Sequence, residues 1–326
     1  MTEQTQLAWD IIETTNTNLF LTGKAGTGKT TFLRRLKEES SKRIVVVAPT
    51  GIAAINAEGV TIHSFFQLSF APFIPNYNLK EQQFRFSKQK INVIRSIDTL
   101  VIDEISMVRA DLLDAVDSVL RRFRKNNLPF GGVQMVMIGD LGQLAPVAKD
   151  DEWQMLSRYY ATPYFFSSLA LQRTRYAIVE LTKVYRQSDK RFLDILNKVR
   201  ENRADAAVLS ALNSRYIPGF KPRKEDGYIR LTTHNWQAQR INDHELELLP
   251  GKPYTYTATI EGKYPEMLFP TDETLTLKTG AQVMFVKNDS SADKAYYNGM
   301  IGTIAAIDAE GFTVTAKDTG ENIRVQ

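Results

Sequence analysis

The chain has 326 residues, of which 43% are hydrophobic and 24% charged, and it carries a formal net charge of +4. These values are typical of a globular protein, and no stretch approaches the roughly 18 consecutive apolar residues of a membrane span, which argues against a membrane function. The absence of cysteine excludes disulfides and thiolate metal sites, whereas a pI near 9.0 allows a polyanionic partner without requiring one. The N-terminal stretch MTEQTQLAWDIIE lacks the basic start and apolar core of a signal peptide, so we expect a bacterial cytoplasmic protein.

Short apolar runs alternate with helical segments over the first half of the chain. Runs at 19–21, 44–48, 99–102 and 134–138 are typical of strands buried on both faces of a parallel sheet. The clearest helix is at 110–125, where an apolar residue recurs every three or four positions, at Leu113, Val116, Leu120 and Phe123. Arg121, Arg122 and Lys125 are expected on its solvent side. The alternation predicts a doubly wound α/β domain.

The pattern then changes twice. Residues 67–86 (QLSFAPFIPNYNLKEQQFRF) are aromatic and aperiodic, which indicates a surface insertion. The second half suggests strands at 178–184 and 228–232, with helices at 190–200, 205–212 and 236–248. From residue 251 the chain becomes β-rich, with turns at Asn298-Gly299 and Glu310-Gly311, which predicts a small barrel-like module.

A glycine-rich loop follows the first apolar run. Residues 23–30, GKAGTGKT, match the pattern G-x-x-x-x-G-K-[ST] between a predicted strand and a predicted helix. In this pattern backbone N–H groups surround phosphates, the lysine neutralises β and γ oxygens, and the last hydroxyl ligates Mg²⁺. The sequence therefore predicts an ATP site that includes Gly23, Ala25, Gly26, Thr27, Gly28, Lys29, Thr30 and Thr31.

Two further strands end in polar residues suited to ATP hydrolysis. LVIDE (100–104) offers Asp103 for Mg²⁺ and Glu104 to orient or deprotonate the attacking water, although strand-end carboxylates can also act as simple caps. The next strand is followed by Asp140 and Gln143, which should lie at the same carboxyl edge of the sheet. Gln143 could bind the γ-phosphate or only cap its own loop, and the residues alone leave both roles open.

Ordered motifs extend along the rest of the chain: APTGIAA (48–54), TIHSFF (61–66), VIDEISMV (101–108), PFGG (129–132), GDLGQLAPV (139–147) and VYRQ (184–187). TTHNWQAQRIN (232–242), LKTGAQVMFVKN (277–288) and YNGMIGTI (297–304) continue the series. Together they resemble the motifs of the Pif family of DNA helicases, in the superfamily-one group that moves 5′ to 3′ on single strands. The resemblance covers nearly the whole chain.

The resemblance implies ATP hydrolysis between two RecA-like P-loop domains with parallel sheets. The first would span 1–66 and 87–176 with a wedge insertion at 67–86, and the second 177–250, followed by a β-rich SH3-like insertion at 251–326. Arg186 in VYRQ would be the arginine finger. Gln6 is the candidate for recognising adenine, although nearby Gln4 leaves the register open.

The same resemblance implies a track for single-stranded DNA across both domains, at Pro49, Thr50, Gly51, Thr61, His63, Ser64, Thr232, His234 and Asn235. Hydroxyls, backbone N–H groups and neutral imidazoles can hold phosphates without reading bases. Phe70, Phe73 and Tyr77 are expected to pack the wedge onto its domain. The implied cofactors are ATP and Mg²⁺. The implied partners of this monomer are single-stranded DNA and forks, with G-quadruplexes and RNA–DNA hybrids as further candidates.

The sequence departs from the family pattern near its C-terminal end. Two later family motifs, one with Ser-Gln-Gly and one with a second arginine, do not occur between residues 299 and 326. We therefore expect the chain to be cut short and to turn over ATP poorly. A RecD-like translocase and a P-loop ATPase that does not act on nucleic acid stay open, whereas Lys29, Asp103 and Glu104 argue against a vestigial motor.

Overall fold

The computed structural model describes residues 2–75, 86–185, 187, 189–220, 230–260, 271–286, 289, 291, 295–297, 299–308 and 310–325. The chain forms two compact units, Met1–Arg215 and Tyr216–Gln326. None of the helices within these described ranges is long and apolar enough to cross a membrane.

The first unit is built on a six-stranded parallel sheet. Its strands are β1 (Asn18–Gly23), β2 (Ile44–Ala48), β3 (Val60–Thr61), β4 (Thr99–Ile102), β5 (Gln134–Ile138) and β6 (Tyr176–Leu181), in the order β3-β2-β4-β5-β1-β6. Three of them have the bounds predicted from the apolar runs. The α/β class predicted from the sequence is confirmed.

Ten helices of this unit are described. They are α1 (Glu3–Thr14), α2 (Lys29–Glu39), α3 (Gly51–Asn56), α4 (Ile62–Phe66), α5 (Lys88–Ser96), α6 (Ala110–Arg124), α7 (Asp150–Leu156), α8 (Leu169–Gln172), α9 (Lys190–Arg200) and α10 (Ala206–Asn213). Short 3₁₀ turns occur at Ile105–Met107, Pro129–Gly132 and Phe165–Ser167.

The sheet has a hydrophobic cluster on each face. Leu100 and Ile102 belong to one cluster, whereas Val101 between them belongs to the other. Neighbouring residues of a strand point to opposite faces, so a strand covered on both sides must be apolar at every position. This explains why the central strands have continuous apolar sequences.

Helix α6 buries the predicted apolar stripe and also anchors its surroundings. The guanidinium of Arg124, the last residue of α6, donates to the carbonyl oxygens of Ile94, Arg95 and Ile97 at the end of α5. Arg121 is half-buried and lies 3.6 Å from Asp117, whereas Arg122 and Lys125 are exposed, as predicted. Asp114 accepts hydrogen bonds from the Tyr160 and Ser168 hydroxyls and from the backbone N–H groups of Leu169 and Ala170.

Strand β6 differs from its predicted place. The sequence pattern suggested a strand at 178–184 in the second half of the chain, but β6 pairs with β1 of the first sheet along its whole length, from Asn18↔Tyr176 to Gly23↔Leu181. An apolar run carries no information about its pairing partner, which is the reason for this error. Of the strand predicted at 228–232, residues 228 and 229 lie outside the described residues, and 230–232 are not in a strand.

The second unit contains α11 (Asn235–Leu248) and antiparallel strands. β7 (Tyr254–Thr257) pairs with β8 (Thr274–Leu277). β9 (Gln282–Met284), β10 (Ile301–Asp308), β11 (Gly311–Ala316) and β12 (Asn322–Val325) form a second sheet in the order β12-β11-β10-β9. The β-rich character predicted from residue 251 is confirmed. The parallel sheet predicted for a second RecA-like domain is not among the strands described here, and the domain bounds stay a prediction.

Candidate functional site

The phosphate loop joins β1 to α2 in a conformation that depends on glycine. Gly23, Gly26 and Gly28 have φ values of 150°, 77° and 90°. A Cβ atom on Gly23 would lie 2.6 Å from the Leu181 carbonyl oxygen and 2.7 Å from Thr27 Oγ1, so only glycine fits. Gly28 caps α2 without any side-chain hydrogen bond, which leaves the first N–H groups of the helix available to an anion. Of the other predicted loop residues, Ala25 lies in the loop, and Thr30 and Thr31 lie in the first turn of α2.

Lys29 folds back over this loop. Its ammonium donates to the carbonyl oxygens of Gly23 (2.6 Å) and Lys24 (3.1 Å). Burial lowers the pKa of Lys29, and the charges of Asp140, Glu104 and Asp103 oppose that shift in decreasing order. The predicted lysine and the predicted carboxylates are therefore brought together at the carboxyl edge of the sheet.

The acidic pair follows β4 at this edge. The backbone N–H of Asp103 donates to the Val47 carbonyl oxygen of β2 at 2.9 Å. Burial raises the pKa of Asp103 to about 6, with the Glu104 charge adding to the rise and Lys29 opposing it. Glu104 has φ 50° and ψ 43°, a left-handed conformation that costs a non-glycine residue about 1–3 kcal/mol. Such strain clusters at functional sites.

The turn after β5 is organised by Asp140, which is 2% exposed. Its carboxylate accepts hydrogen bonds from the Gly142 N–H and the Gln143 side-chain amide, both at 3.0 Å. The backbone N–H of Gln143 donates to the Asp140 carbonyl oxygen at 3.0 Å. Gln143 thus takes part in its own loop, but its side chain is exposed at the nucleotide edge.

Three residues at this edge were missed from the sequence. At the end of α9, Arg200 forms an ion pair with Asp140, and Glu201 forms one with Lys24. Tyr185 donates its backbone N–H to the Gly26 carbonyl oxygen at 2.8 Å, and its ring lies against Gly28. Tyr185 stands in the VYRQ motif, which was a usable signal, whereas nothing in the sequence distinguished Arg200 from other helix-surface cations.

Two predicted ATP residues are not brought to this edge by the described contacts. Arg186 lies outside the described residues. Gln6 is exposed on α1, and its side-chain amide donates to Asp10 Oδ1 at 2.8 Å. Gln4, the alternative, is half-buried. The arginine finger and the adenine contact therefore stay predictions.

The candidate DNA residues of the first unit share the same sheet edge. Pro49, Thr50 and Gly51 follow β2, and Thr61 ends β3, which pairs with β2 in parallel. Thr50 and Thr61 each cap a helix, accepting the backbone N–H of the third residue on at 3.2 Å. A cap uses a lone pair of the hydroxyl and leaves its hydrogen free to donate to a phosphate.

His63 and Ser64 lie in α4, the helix that Thr61 caps. The His63 ring stacks on Phe70 with a centroid distance of 4.4 Å and an interplanar angle of 13°. Burial lowers the pKa of His63, Arg109 lowers it further and Asp111 opposes the shift, so the environment favours the neutral imidazole. Phe70 is 57% exposed, in contrast to the packing role expected of it, whereas Phe73 packs against the core as expected. Tyr77 lies outside the described residues.

The candidate DNA residues of the second unit lie at the start of α11. Thr232 Oγ1 donates to the His234 carbonyl oxygen at 3.2 Å, and His234 Nδ1 lies 2.8 Å from Thr233 Oγ1. Asn235 is the first residue of α11. Trp236 is 59% exposed, with its ring centroid 6.3 Å from that of His234. An imidazole and an indole are thus available near each other on this unit.

The phosphate loop, the acidic pair and the polar turn after β5 all lie at the carboxyl ends of strands in one parallel sheet. This arrangement defines a P-loop nucleotide-binding protein of the α/β class. Residues 2–208 match the model of the PIF1-like helicase family, and the chain belongs to this family. The resemblance drawn from the motifs is confirmed.

Individual relatives agree with this assignment. The chain is 37% identical over 315 residues to the ATP-dependent DNA helicase Pif1 of Psychrobacter sp. (strain PRwf-1), covering 91% of this chain and 45% of the relative. It is 36% identical over 308 residues to ATP-dependent DNA helicase PIF1 of Homo sapiens, covering 90% and 45%. The chain thus spans about half the length of these curated relatives. A crystal structure of Pif1 helicase from Bacteroides in complex with ADP-AlF3 and ssDNA superimposes with a TM-score of 0.88 at 40% identity, covering 99% of this chain and 73% of that one.

Proposed function

We propose that this protein is an ATP-dependent DNA helicase that moves 5′ to 3′ on single-stranded DNA and unwinds duplex or structured DNA. The observation that carries the proposal is the shared carboxyl edge of one sheet. At this edge the phosphate loop follows β1, Asp103 follows β4 and Asp140 follows β5. At the same edge Thr50 follows β2 and Thr61 is the last residue of β3. The backbone N–H of Asp103 donates to the carbonyl oxygen of Val47, three residues before Thr50, which supports a proposal that puts the ATP residues next to the DNA residues.

The ATP roles follow from the charges at this edge. Lys29 and the N–H groups of α2 would hold the phosphates, and Glu104 would orient or deprotonate the attacking water. Gln143 would hydrogen-bond the γ-phosphate and respond to its loss. Arg186 would act as the arginine finger, a role worth about 10³–10⁵ in rate where it is best measured.

The donor set fits Mg²⁺. Asp103 and Thr30 would hold the ion, which supplies charge neutralisation to the phosphates when bound. Among the residues described, no group of three or more His, Asp or Glu could form a protein-only metal site. This suits Mg²⁺, which usually keeps several waters and takes only one or two protein ligands beside phosphate oxygens. A cation near Asp103 would also offset the cost of burying its charge.

The DNA contacts would be independent of base sequence. Hydroxyl donors at Thr50 and Thr61 and the neutral imidazole of His63 can hold phosphates or stack on bases without reading them. Alternate gripping by Thr50 and Thr232 would move the strand by about one nucleotide per ATP, against a mean cost of ~1.4 kcal/mol per base-pair step. Single-stranded DNA and forks are the proposed partners of a monomer. Action on G-quadruplexes and RNA–DNA hybrids stays a prediction.

ATP turnover with and without single-stranded DNA tests the proposal. We would compare the chain with Lys29→Ala and with Lys37→Ala, a cation on the same helix that pairs with Glu58 away from the loop. We expect slow ATP turnover that DNA raises in the parent chain and in Lys37→Ala but not in Lys29→Ala, whereas efficient DNA-stimulated turnover would contradict the expectation of a chain that turns over ATP poorly. ATP turnover without any DNA binding would favour a P-loop ATPase that acts on another substrate. Stimulated turnover without separation of a fork carrying a 5′ tail would favour a RecD-like translocase.

A further inference from the structure

The C-terminal end of α9 reaches the nucleotide edge through two adjacent ion pairs. Arg200 places Nη2 2.5 Å from Asp140 Oδ1 and Nη1 3.3 Å from Oδ2, a two-pronged contact. The next residue, Glu201, lies 3.2 Å from the Lys24 ammonium in the phosphate loop. The Arg200 side chain is 26% exposed and that of Asp140 only 2%, so their pair is shielded from solvent, unlike most surface ion pairs.

Arg200 also packs against the turn that carries Gln143. A Cβ atom on Gly142 would lie 2.7 Å from Arg200 Nε and 3.0 Å from its Cζ, so the guanidinium occupies the space beside that glycine. Each carboxylate oxygen of Asp140 accepts from Arg200 and from the turn, since Oδ1 also accepts the Gly142 N–H and Oδ2 also accepts the Gln143 side-chain amide. One carboxylate therefore joins the end of α9 to the residue proposed to contact the γ-phosphate.

The charges of this pair act on the phosphate-binding lysine. The Asp140 charge raises the pKa of Lys29 and the Arg200 charge lowers it, so both groups are close enough to matter electrostatically. Without Arg200, Asp140 would be a buried anion without its counter-ion, and it would both repel a phosphate and attract Lys29. Arg200 is thus placed to maintain the conformation of the turn after β5 and to balance the Asp140 charge at the edge where a triphosphate would bind.

We propose that Arg200 is a positioning residue that holds Asp140, and through it Gln143, in the arrangement that distinguishes a nucleoside triphosphate from a diphosphate. The inference rests on the proposed nucleotide-binding function of this edge. It assigns α9 a role in sensing the γ-phosphate, which the sequence motifs did not suggest. Arg200 would act through its neighbours and need not touch the nucleotide.

The test is a comparison of affinities for fluorescent ADP and for a fluorescent, non-hydrolysable ATP analogue, measured on the chain without DNA. The variants are Arg200→Ala, Gln143→Ala and the double variant, with Lys198→Ala as the matched control. Lys198 lies on the same helix but pairs with Asp194 and Asp205. We expect Arg200→Ala to reduce the preference for the triphosphate by about 5-fold or more, at the lower end of typical coupling effects, while ADP affinity stays within about twofold.

Coupling through Gln143 gives a sharper expectation. Because the two residues would act as one unit, the double variant should lose no more preference than Gln143→Ala alone, whereas independent sites would add. Arg200→Lys should restore part of the preference, since it returns the charge without the two-pronged geometry.

Three results would overturn the inference: additive losses in the double variant, an unchanged preference in Arg200→Ala, or equal weakening of both nucleotides with a lowered melting temperature. The last would indicate a purely structural ion pair. Since the assay needs neither DNA nor turnover, it separates this inference from the helicase proposal. If both single variants lose the triphosphate preference but the parent chain binds no single-stranded DNA, only the helicase proposal is refuted.

Discussion

Asp103 is expected to destabilise the nucleotide-free protein, so its replacement by asparagine should increase stability. Burial raises the pKa of this carboxyl from its ordinary 3.8 to about 6. Each pKa unit corresponds to 1.36 kcal/mol, so the ionised side chain costs the folded state about 3 kcal/mol. Asparagine has nearly the same shape but carries no charge, and it avoids this cost.

The pH dependence has a defined sign. The folded state holds the Asp103 proton more tightly than the unfolded chain does, because the pKa is raised on folding. The destabilisation is therefore absent below about pH 4, grows between about pH 4 and 6 and is complete above about pH 6. The advantage of Asp103→Asn should follow the same course and reach about 3 kcal/mol at neutral pH.

Urea unfolding between pH 4 and 8 in EDTA would measure this difference, and Asp98→Asn is the matched control. Asp98 precedes the same strand, β4, but hydrogen bonds from Arg43 lower the pKa of Asp98 to about 2. Its charge stabilises the fold above about pH 4 and that contribution is lost as the pH falls toward 2, so Asp98→Asn should reduce stability at neutral pH. The prediction would be refuted if the difference in free energy of unfolding between Asp103→Asn and the parent chain did not change with pH, or if Asp103→Asn were less stable than the parent chain at pH 8.

Three further substitutions probe the loop, the core and the DNA edge. Gly23→Ala should abolish nucleotide binding in a fluorescence titration and lower the free energy of unfolding by about 1–3 kcal/mol, because there is no space for its Cβ atom; unchanged binding would contradict this. Asp114→Ala should lower the free energy of unfolding by about 3–5 kcal/mol, because it leaves three buried donors and one partly buried donor without their acceptor; a loss below about 1 kcal/mol in urea unfolding would be inconsistent with that network. His63→Ala should weaken binding of a labelled single strand by ~1–3 kcal/mol in fluorescence anisotropy, whereas exposed His244→Ala should not; equal effects would refute a specific role.

The parts of the fold that were predictable depend on local patterns. Strand β4 is apolar at every position because both faces of the sheet are covered, and a run of this kind is visible in the sequence. The phosphate loop is likewise local, since Gly23, Gly28 and Lys29 lie within seven residues of one another. Such features could be located without any knowledge of long-range pairing.

The parts that were missed depend on contacts between distant segments. Arg200 lies 60 residues from Asp140 along the chain, and an arginine on a helix surface has the same local pattern whether it faces solvent or a buried carboxylate. The stacking of His63 on Phe70 involves an aperiodic segment that gives no indication of side-chain direction. The pairing of β6 with β1 was missed for the same reason, because an apolar strand can pair with any exposed edge.

The carboxyl edge of the first sheet concentrates features that are unfavourable in the free protein. The Lys29 ammonium is partly desolvated, the Asp103 carboxylate is buried, Glu104 has a left-handed backbone and the first turn of α2 has uncapped N–H groups. Triphosphate oxygens with a divalent cation would compensate three of them at once, by pairing with the lysine, the carboxylate and the N–H groups. The apolar clusters on both faces of the sheet supply the stability that allows these costs to persist. Departures from local structural rules at one sheet edge therefore support its assignment as a nucleotide site independently of the motifs.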